Sequence, residues 1–314
     1  MAASIVAISA TLAACGGEAS ATSSYPDPGP PGEAIVVEHA QGTLTLAQAP
    51  KRVYSLDWGV TAVLLALGVE VHGVASNAAP PHLAHLLDDP DVITVGTLHE
   101  PCFETIAAHP ADLVIIAGRS AIHFEEMAGI APTIDLTVAG HENVAQSQAT
   151  ALTLGRLFDR EAEAEALVAR FQATVAEAAA LAGDDALIVL TSGSAVSAFG
   201  PGGRFGFVHD DFGLAPAALI EEDGRHGQSI SFEFILEADP TWLFVIDRDT
   251  AIQSGGDAAR QVMDNAIIRR TQAYRHNRIV YVDTTSWYIA GTGIVSMQAV
   301  ADSILELLQT GHAG

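Results

Sequence analysis

The chain has 314 residues, 49% of them hydrophobic and 17% charged, which is enough apolar material for one large packed domain or two ordinary ones and excludes a disordered tail. With 14 Lys plus Arg against 38 Asp plus Glu, the formal net charge of −24 argues against generic binding to nucleic acid or to an anionic membrane surface, so an anionic ligand needs a local basic site. Two cysteines, Cys15 and Cys102, exclude a disulfide-rich scaffold and a Cys-based zinc cluster.

Residues 1–14 are uncharged and apolar, too short a run to span a bilayer, and end Leu12-Ala13-Ala14-Cys15-Gly16-Gly17. Small residues before a cysteine and glycines after it resemble a bacterial lipobox, which implies cleavage of a signal peptide and lipidation of Cys15. The missing basic segment at the start is a departure from that pattern, and a buried apolar N-terminal segment is the alternative. Residues 15–34 are rich in Gly, Ser, Ala and Pro, with Pro26, Pro28, Pro30 and Pro31 close together, and read as a flexible tether. Cys102 is then the thiol of the mature domain, and such a lone cysteine is more often a small buried hydrophobe than a nucleophile.

Beyond the tether, residues 35–37 and 44–46 around Gly42 predict a hairpin, and the pattern then alternates short β-branched runs with helical periodicity, as in an α/β parallel sheet. Residues 53–56 predict a strand, followed by a helix over about 59–67 that Gly68 stops. Residues 113–116 predict another strand, introduced by Phe103-Glu104-Thr105-Ile106-Ala107-Ala108 and Pro110-Ala111-Asp112. The same plan returns as Phe232-Glu233-Phe234-Ile235-Leu236-Glu237 and Asp239-Pro240-Thr241 before a strand over 242–246, with an Arg just past each strand: Arg119 in one half, Arg248 in the other. Two similar α/β lobes follow, 35–158 and 183–314. Residues 160–181 are dense in Ala, Glu and Leu without Gly or Pro, and predict a single helix of about 33 Å bridging the lobes over 159–182.

In α/β sheets ligands sit beyond the carboxyl ends of the strands. Arg119, Arg248 and Arg204, the last in Gly200-Pro201-Gly202-Gly203-Arg204-Phe205-Gly206 after a strand over 187–190, are therefore expected to converge on one cleft. Guanidinium forks suit a multiply anionic, oxygen-rich ligand, although any one of them could equally be a surface ion-pair partner. The glycine loop matches neither phosphate-loop nor dinucleotide spacing. His226, between glycines in Gly224-Arg225-His226-Gly227, and Tyr288, in Ser286-Trp287-Tyr288-Ile289 past a strand over 279–282, are candidate Fe(III) ligands; each could equally be a hydrogen-bonding surface residue. Trp242 and Trp287 lie in or beside these cleft segments.

The segments Ser197-Ala198-Phe199-Gly200-Pro201-Gly202-Gly203-Arg204-Phe205-Gly206, His226-Gly227-Gln228-Ser229-Ile230-Ser231-Phe232-Glu233, Asp247-Arg248-Asp249-Thr250-Ala251-Ile252 and Trp287-Tyr288 resemble the motifs of catecholate-siderophore-binding lipoproteins of ABC importers, the enterobactin and petrobactin type of the Fe/B12 periplasmic-binding superfamily. The match runs from about Lys51 to the C-terminus and is densest in the second half. It implies a class III, helical-backbone periplasmic binding fold, with two Rossmann-like lobes. It implies that Arg119, Arg204 and Arg248 line a basic cleft, and that His226 and Tyr288 complete the iron's coordination when the siderophore brings only two catechols; Arg225 beside His226 is an extra cation outside that pattern. Glu104 and Glu233 match the acidic residues, one per lobe, that meet the membrane permease; as acids at helix N-termini they could equally stabilise the helix dipole. Gly203, where Ser is common, and Arg225, where a small polar residue is common, depart from the family.

The resemblance further implies Fe(III) as cargo in a siderophore complex, no intrinsic cofactor, an ABC permease and its ATPase as partners, no nucleic acid, and a monomer lipid-anchored at the outer face of the cytoplasmic membrane or periplasmic. Haem, cobalamin or a hydroxamate siderophore are alternative ligands on the same fold. A metal-dependent hydrolase is a weaker alternative, because neither His-Glu-x-x-His nor Gly-x-Ser-x-Gly occurs.

Overall fold

A computed structural model describes residues 34–137, 143–221, 227–252 and 258–311. Alternating residues form the hairpin β1 (Ile35–His39) and β2 (Gly42–Leu46), closed at Gly42. Gln41 and Ala40 fasten its tip to Asp135 of the first lobe, through a 2.9 Å side-chain bond and a backbone bond to the Asp135 carbonyl.

The first lobe is a five-stranded, all-parallel sheet of β3 (Val53–Ser55), β4 (Gly73–Val74), β5 (Ile93–Thr94), β6 (Leu113–Ile116) and β7 (Thr133–Asp135), in the order β5-β4-β3-β6-β7. β3 and β6 are buried along their whole length, as continuous apolar runs covered on both faces must be. The helix after β3 runs Trp58–Ala66; Asp57 caps it by accepting from the Val60 N–H at 3.0 Å, and Gly68, at φ +73°, ends it.

The second lobe is a mixed sheet of β8 (Asp185–Ser192), β9 (Ala195–Phe199), β10 (Ala215–Pro216), β11 (Gln228–Ile230), β12 (Trp242–Asp247) and β13 (Ile279–Tyr281), ordered β11-β9-β8-β12-β13 with β10 beside the start of β8. The antiparallel pair β8–β9 departs from the purely parallel pattern expected. Gly193, at φ +56°, turns the chain straight back, so β9 intervenes between β8 and the glycine loop.

The bridging helix is Glu161–Leu181, about 32 Å long at 1.5 Å per residue. Its Ala164, Val168, Phe171 and Ala178 are buried on one stripe, against the preceding helix Asn143–Leu157 and the C-terminal helix Ile294–Thr310, whose Met297, Val300, Ala301 and Ile304 are buried in turn. The one helix that links the lobes thus packs with two others into a three-helix spine. The C-terminal helix also reaches the first lobe: Thr292 donates to buried Asp57 at 2.8 Å, and Gly293 lies backbone to backbone on Gly59. Among the described residues, no helix is long and apolar enough to cross a membrane.

Candidate functional site

The carboxyl ends of β6 and β12 deliver Arg119 and Arg248 to the gap between the lobes. Arg119 stands in a turn fixed by Gly118, at φ +41°, whose N–H donates to Thr137 Oγ1 at 2.5 Å, and by buried Ser120, whose hydroxyl donates to the Ala117 carbonyl. Arg248 opens a short helix capped by Asp247, which accepts from the Thr250 N–H at 3.1 Å. Arg204 arrives by another route than expected, from the glycine loop after β9. Gly206 packs so close to the Gly202 backbone and the Asp210 carboxylate that a Cβ there would sit 2.8 and 2.9 Å from them, and Phe205 anchors the loop edge-on to Phe199 at 4.8 Å. The cavity between the lobes holds about 640 Å³, and Arg119, Arg204, Arg248, Tyr288, His99 and Ser192 all line it.

Tyr288 is the hub. It lies on a π-helical turn, Thr285–Ile289, whose start is held by the Asp283 carboxylate accepting from the N–H groups of Thr285 and Ser286. Trp287 on the same turn is buried, stacked on Phe244 at 5.8 Å and packed against Phe207 at 5.0 Å, which fixes the side on which Tyr288 emerges. Three guanidiniums surround that phenol. Arg204 lies 4.2 Å over its ring and Arg119 5.7 Å, while Arg248 Nε donates to its Oη at 3.3 Å. The phenol is half-buried, and burial pushes its ionisation up; the charge of Arg204 and the hydrogen bonds from Arg248 and Arg204 outweigh burial and leave it below the usual tyrosine value. At the rim, burial and the charge of Arg119 hold the His99 imidazole below its ordinary value, with Glu100 opposing.

Tyr54 and Tyr281 shift the other way, both raised first by burial, so Tyr288 is expected to ionise ahead of them. A depressed folded value means that Tyr288 ionisation contributes its full stability above an unfolded pKa of about 10 and loses it as pH falls through the folded value. An alkaline titration followed at 295 nm should therefore show an early tyrosinate step that disappears in Tyr288→Phe; an unchanged first step would mean that the guanidiniums do not act on this phenol.

Of the other residues singled out in the sequence, Glu104 and Glu233 are exposed in the first turns of the helices Phe103–Ala108 and Phe232–Ala238, one on each lobe and both away from the cleft lining. Arg225, His226 and Cys15 lie outside the described residues. Trp242 is not a cleft residue. It stands at the amino end of β12, the end opposite Asp247, and donates to Asp184 at 3.2 Å beneath Arg278. Cys102 is partly buried at the start of the Phe103–Ala108 helix. His99, Asn143, Ser192 and Ser197 line the cavity without any spacing signal to announce them; Asn143 donates to the Arg204 carbonyl at 2.6 Å, a bond between the spine and the glycine loop.

A larger hollow of about 830 Å³ lies at the edge strand β13. There Arg260 stacks on Tyr281 at 4.1 Å and Asp264 pairs with Arg269 at 2.6 Å, and the hollow is not where the strands deliver their carboxyl ends. Among the described residues, no group of three or more His, Cys, Asp or Glu is arranged to hold a metal ion.

Two α/β lobes on a helical spine, with one cation-lined cleft between them, define a bilobal solute-binding protein. The chain belongs to the periplasmic binding protein family, whose model matches residues 53–285. It is 33% identical to the petrobactin-binding protein YclQ of Bacillus subtilis over 88% of this chain and 89% of that one, and 31% identical to the ferric-anguibactin-binding protein FatB of Vibrio anguillarum over 88% of each. The crystal structure of YclQ superposes with a TM-score of 0.81, covering 88% of this chain and 99% of its own. The solved structure of the siderophore-binding protein BauB, bound to a complex between two molecules of acinetobactin and ferric iron, superposes at 0.82 with 29% identity, covering 89% of this chain and 100% of its own.

Proposed function

We propose that this protein captures ferric catecholate siderophores outside the cytoplasm and passes them to an ABC permease and its ATPase, without chemical turnover. The observation that carries this reading is the cage of Arg119, Arg204 and Arg248 around Tyr288 in an interlobe cavity, in a chain whose net charge is −24. Concentrating cations at one cavity against that overall charge suits a polyanionic, oxygen-rich ligand, for which guanidiniums supply charge-assisted hydrogen bonds. A phenol whose ionisation is eased is also a suitable hard donor for Fe(III). Ferric anguibactin and the complex of two acinetobactin molecules with ferric iron, named for two of the relatives, support an iron chelate as the ligand.

Iron enters as cargo, already chelated. Tyr288 and His226 close coordination sites that a bis-catecholate leaves open, and Arg225 adds a cation beside His226. Gly227, the first described residue after Arg225 and His226, stands at φ +69° and packs on the Ala198 carbonyl and the ring of Phe199, a residue of the cavity wall. Glu104 and Glu233, exposed one per lobe, dock the permease, and Cys15 carries the lipid anchor.

Trp287 lines the cavity and reports binding by fluorescence. Titration with ferric bis-catecholate and ferric tris-catecholate should quench it. His226→Ala combined with Tyr288→Phe should weaken the bis-catecholate by at least about tenfold, roughly 1.4 kcal/mol, and the tris-catecholate much less. Affinity for the bis-catecholate should also fall as pH drops and ligand oxygens reprotonate. Quenching by haem or cobalamin with no response to either catecholate would overturn the proposal.

A further inference from the structure

Arg119 lines the cavity, and two of its five N–H donors are already engaged by the protein. Its two terminal nitrogens donate across the cleft to consecutive backbone carbonyls, Tyr288 at 2.7 Å and Ile289 at 3.2 Å. Those carbonyls close the π-helical turn, the end at which a helix leaves acceptors without N–H partners and carries partial negative charge. Arg204 adds a third donor, to the Tyr288 carbonyl at 3.2 Å. The carbonyls belong to the second lobe and Arg119 to the first, so the cap bridges the lobes and holds the backbone from which the phenol projects.

The structure assigns Arg119 as a positioning residue: from the first lobe it caps the turn that carries Tyr288, and so sets that side chain in the cleft. This deepens the ligand reading above and rests on it only for the consequence in binding. Unlike Arg248, whose Nε meets the phenol oxygen, Arg119 acts on Tyr288 through backbone and ring face. Its charge still contributes to the cleft, while two of its hydrogen bonds go to the protein.

Hydrogen exchange on the ligand-free protein tests this directly, because the Trp287, Ala290 and Gly293 amides all donate within this segment. In Arg119→Ala, a peptide covering residues 286–293 should exchange roughly tenfold faster, as expected for losing charge-assisted bonds, with β8 unchanged. Arg119→Gln, which keeps a single amide donor, should fall between, and it decides the question should the alanine variant fold poorly. Exchange at the wild-type rate in the folded variants would overturn the assignment. So would a loss of ferric-catecholate affinity accompanied by a flattened salt dependence and unaltered exchange, the pattern of a side chain that binds the anion itself. Failure of the wild type to bind any ferric catecholate would sink the ligand reading and leave the exchange result to judge Arg119 alone.

Discussion

Gly293→Ala is expected to cost about 3 kcal/mol, the upper part of the range for overpacking a filled interior. A Cβ at residue 293 would lie 2.6 Å from the Gly59 carbonyl carbon and 2.8 Å from its Cα, with the carbonyl oxygen nearer still. Every one of these is a backbone atom, so no rotamer change relieves the clash. Gly59 faces the mirror problem, its own Cβ position falling 2.7 Å from the Gly293 nitrogen. The first turns of two helices, Trp58–Ala66 and Ile294–Thr310, would have to separate, pulling on the bond from Thr292 to buried Asp57. Thermal unfolding followed by circular dichroism should shift down by about 5 °C for a chain of this length. Gly183→Ala is the control, since nothing lies within 4 Å of its Cβ position, and its melting temperature should stay close to wild type. Equal melting of the two variants would mean that the C-terminal helix does not meet the first lobe through this glycine pair. The contact also matters for the cleft, because Thr292 lines the cavity and stands shortly after the turn that bears Tyr288.

That glycine pair was silent in the sequence, and the reason is physical. Gly59 and Gly293 are required by a tertiary approach between segments more than two hundred residues apart, which no local pattern encodes. The repeated plan of acid, helix, Pro, strand and Arg was legible because each part is local: Glu104 and Glu233 stand in first helical turns, β6 is apolar throughout and β12 is apolar up to its last residue, Asp247. The bridging helix was legible for the same reason, its composition alone marking both ends. The β8–β9 hairpin was missed because a long apolar strand followed by Gly193 reads as a strand and its exit; only the register Ile188–Phe199 reveals the return. In the cleft, the Arg residues announced themselves by their place after apolar strands. What they do to one another could not be read there. That Arg204 and Arg119 sit over one phenol while Arg248 meets its oxygen depends on a π-helical turn with no distinctive sequence.

Arg204→Gln and Arg248→Gln should each weaken ferric-catecholate binding by about 10- to 100-fold, the loss expected for a charge-assisted hydrogen bond of roughly 1.5–3 kcal/mol. The two losses should not add. Both side chains act on Tyr288, Arg204 stacking on its ring and donating to its carbonyl, Arg248 donating to its Oη, so removing either changes the phenol that the other supports. Charge makes a second distinction. If the guanidiniums meet the ligand's oxygens, the more anionic tris-catecholate should lose more than the bis-catecholate, and raising ionic strength should weaken wild type more than the double variant. If they act mainly through Tyr288, the bis-catecholate should suffer most, because only that chelate leaves coordination sites for the phenol to fill. Fluorescence titrations of the two chelates at low and high salt, with Tyr288→Phe combined with each Arg variant, separate these cases. Direct contact predicts that Tyr288→Phe and the Arg changes act independently on the tris-catecholate; action through the phenol predicts that Arg248→Gln has little left to remove once Tyr288 is Phe. The hydrogen bond from Arg248 to Oη, with Ser192 at 3.4 Å from its Nη1, favours the second outcome for Arg248. For Arg204, whose guanidinium lies over the ring and lines the open cavity, the first is expected. Loss of neither chelate in the double variant would reduce both arginines to braces for the turn at Tyr288 and remove the electrostatic basis of the ligand reading.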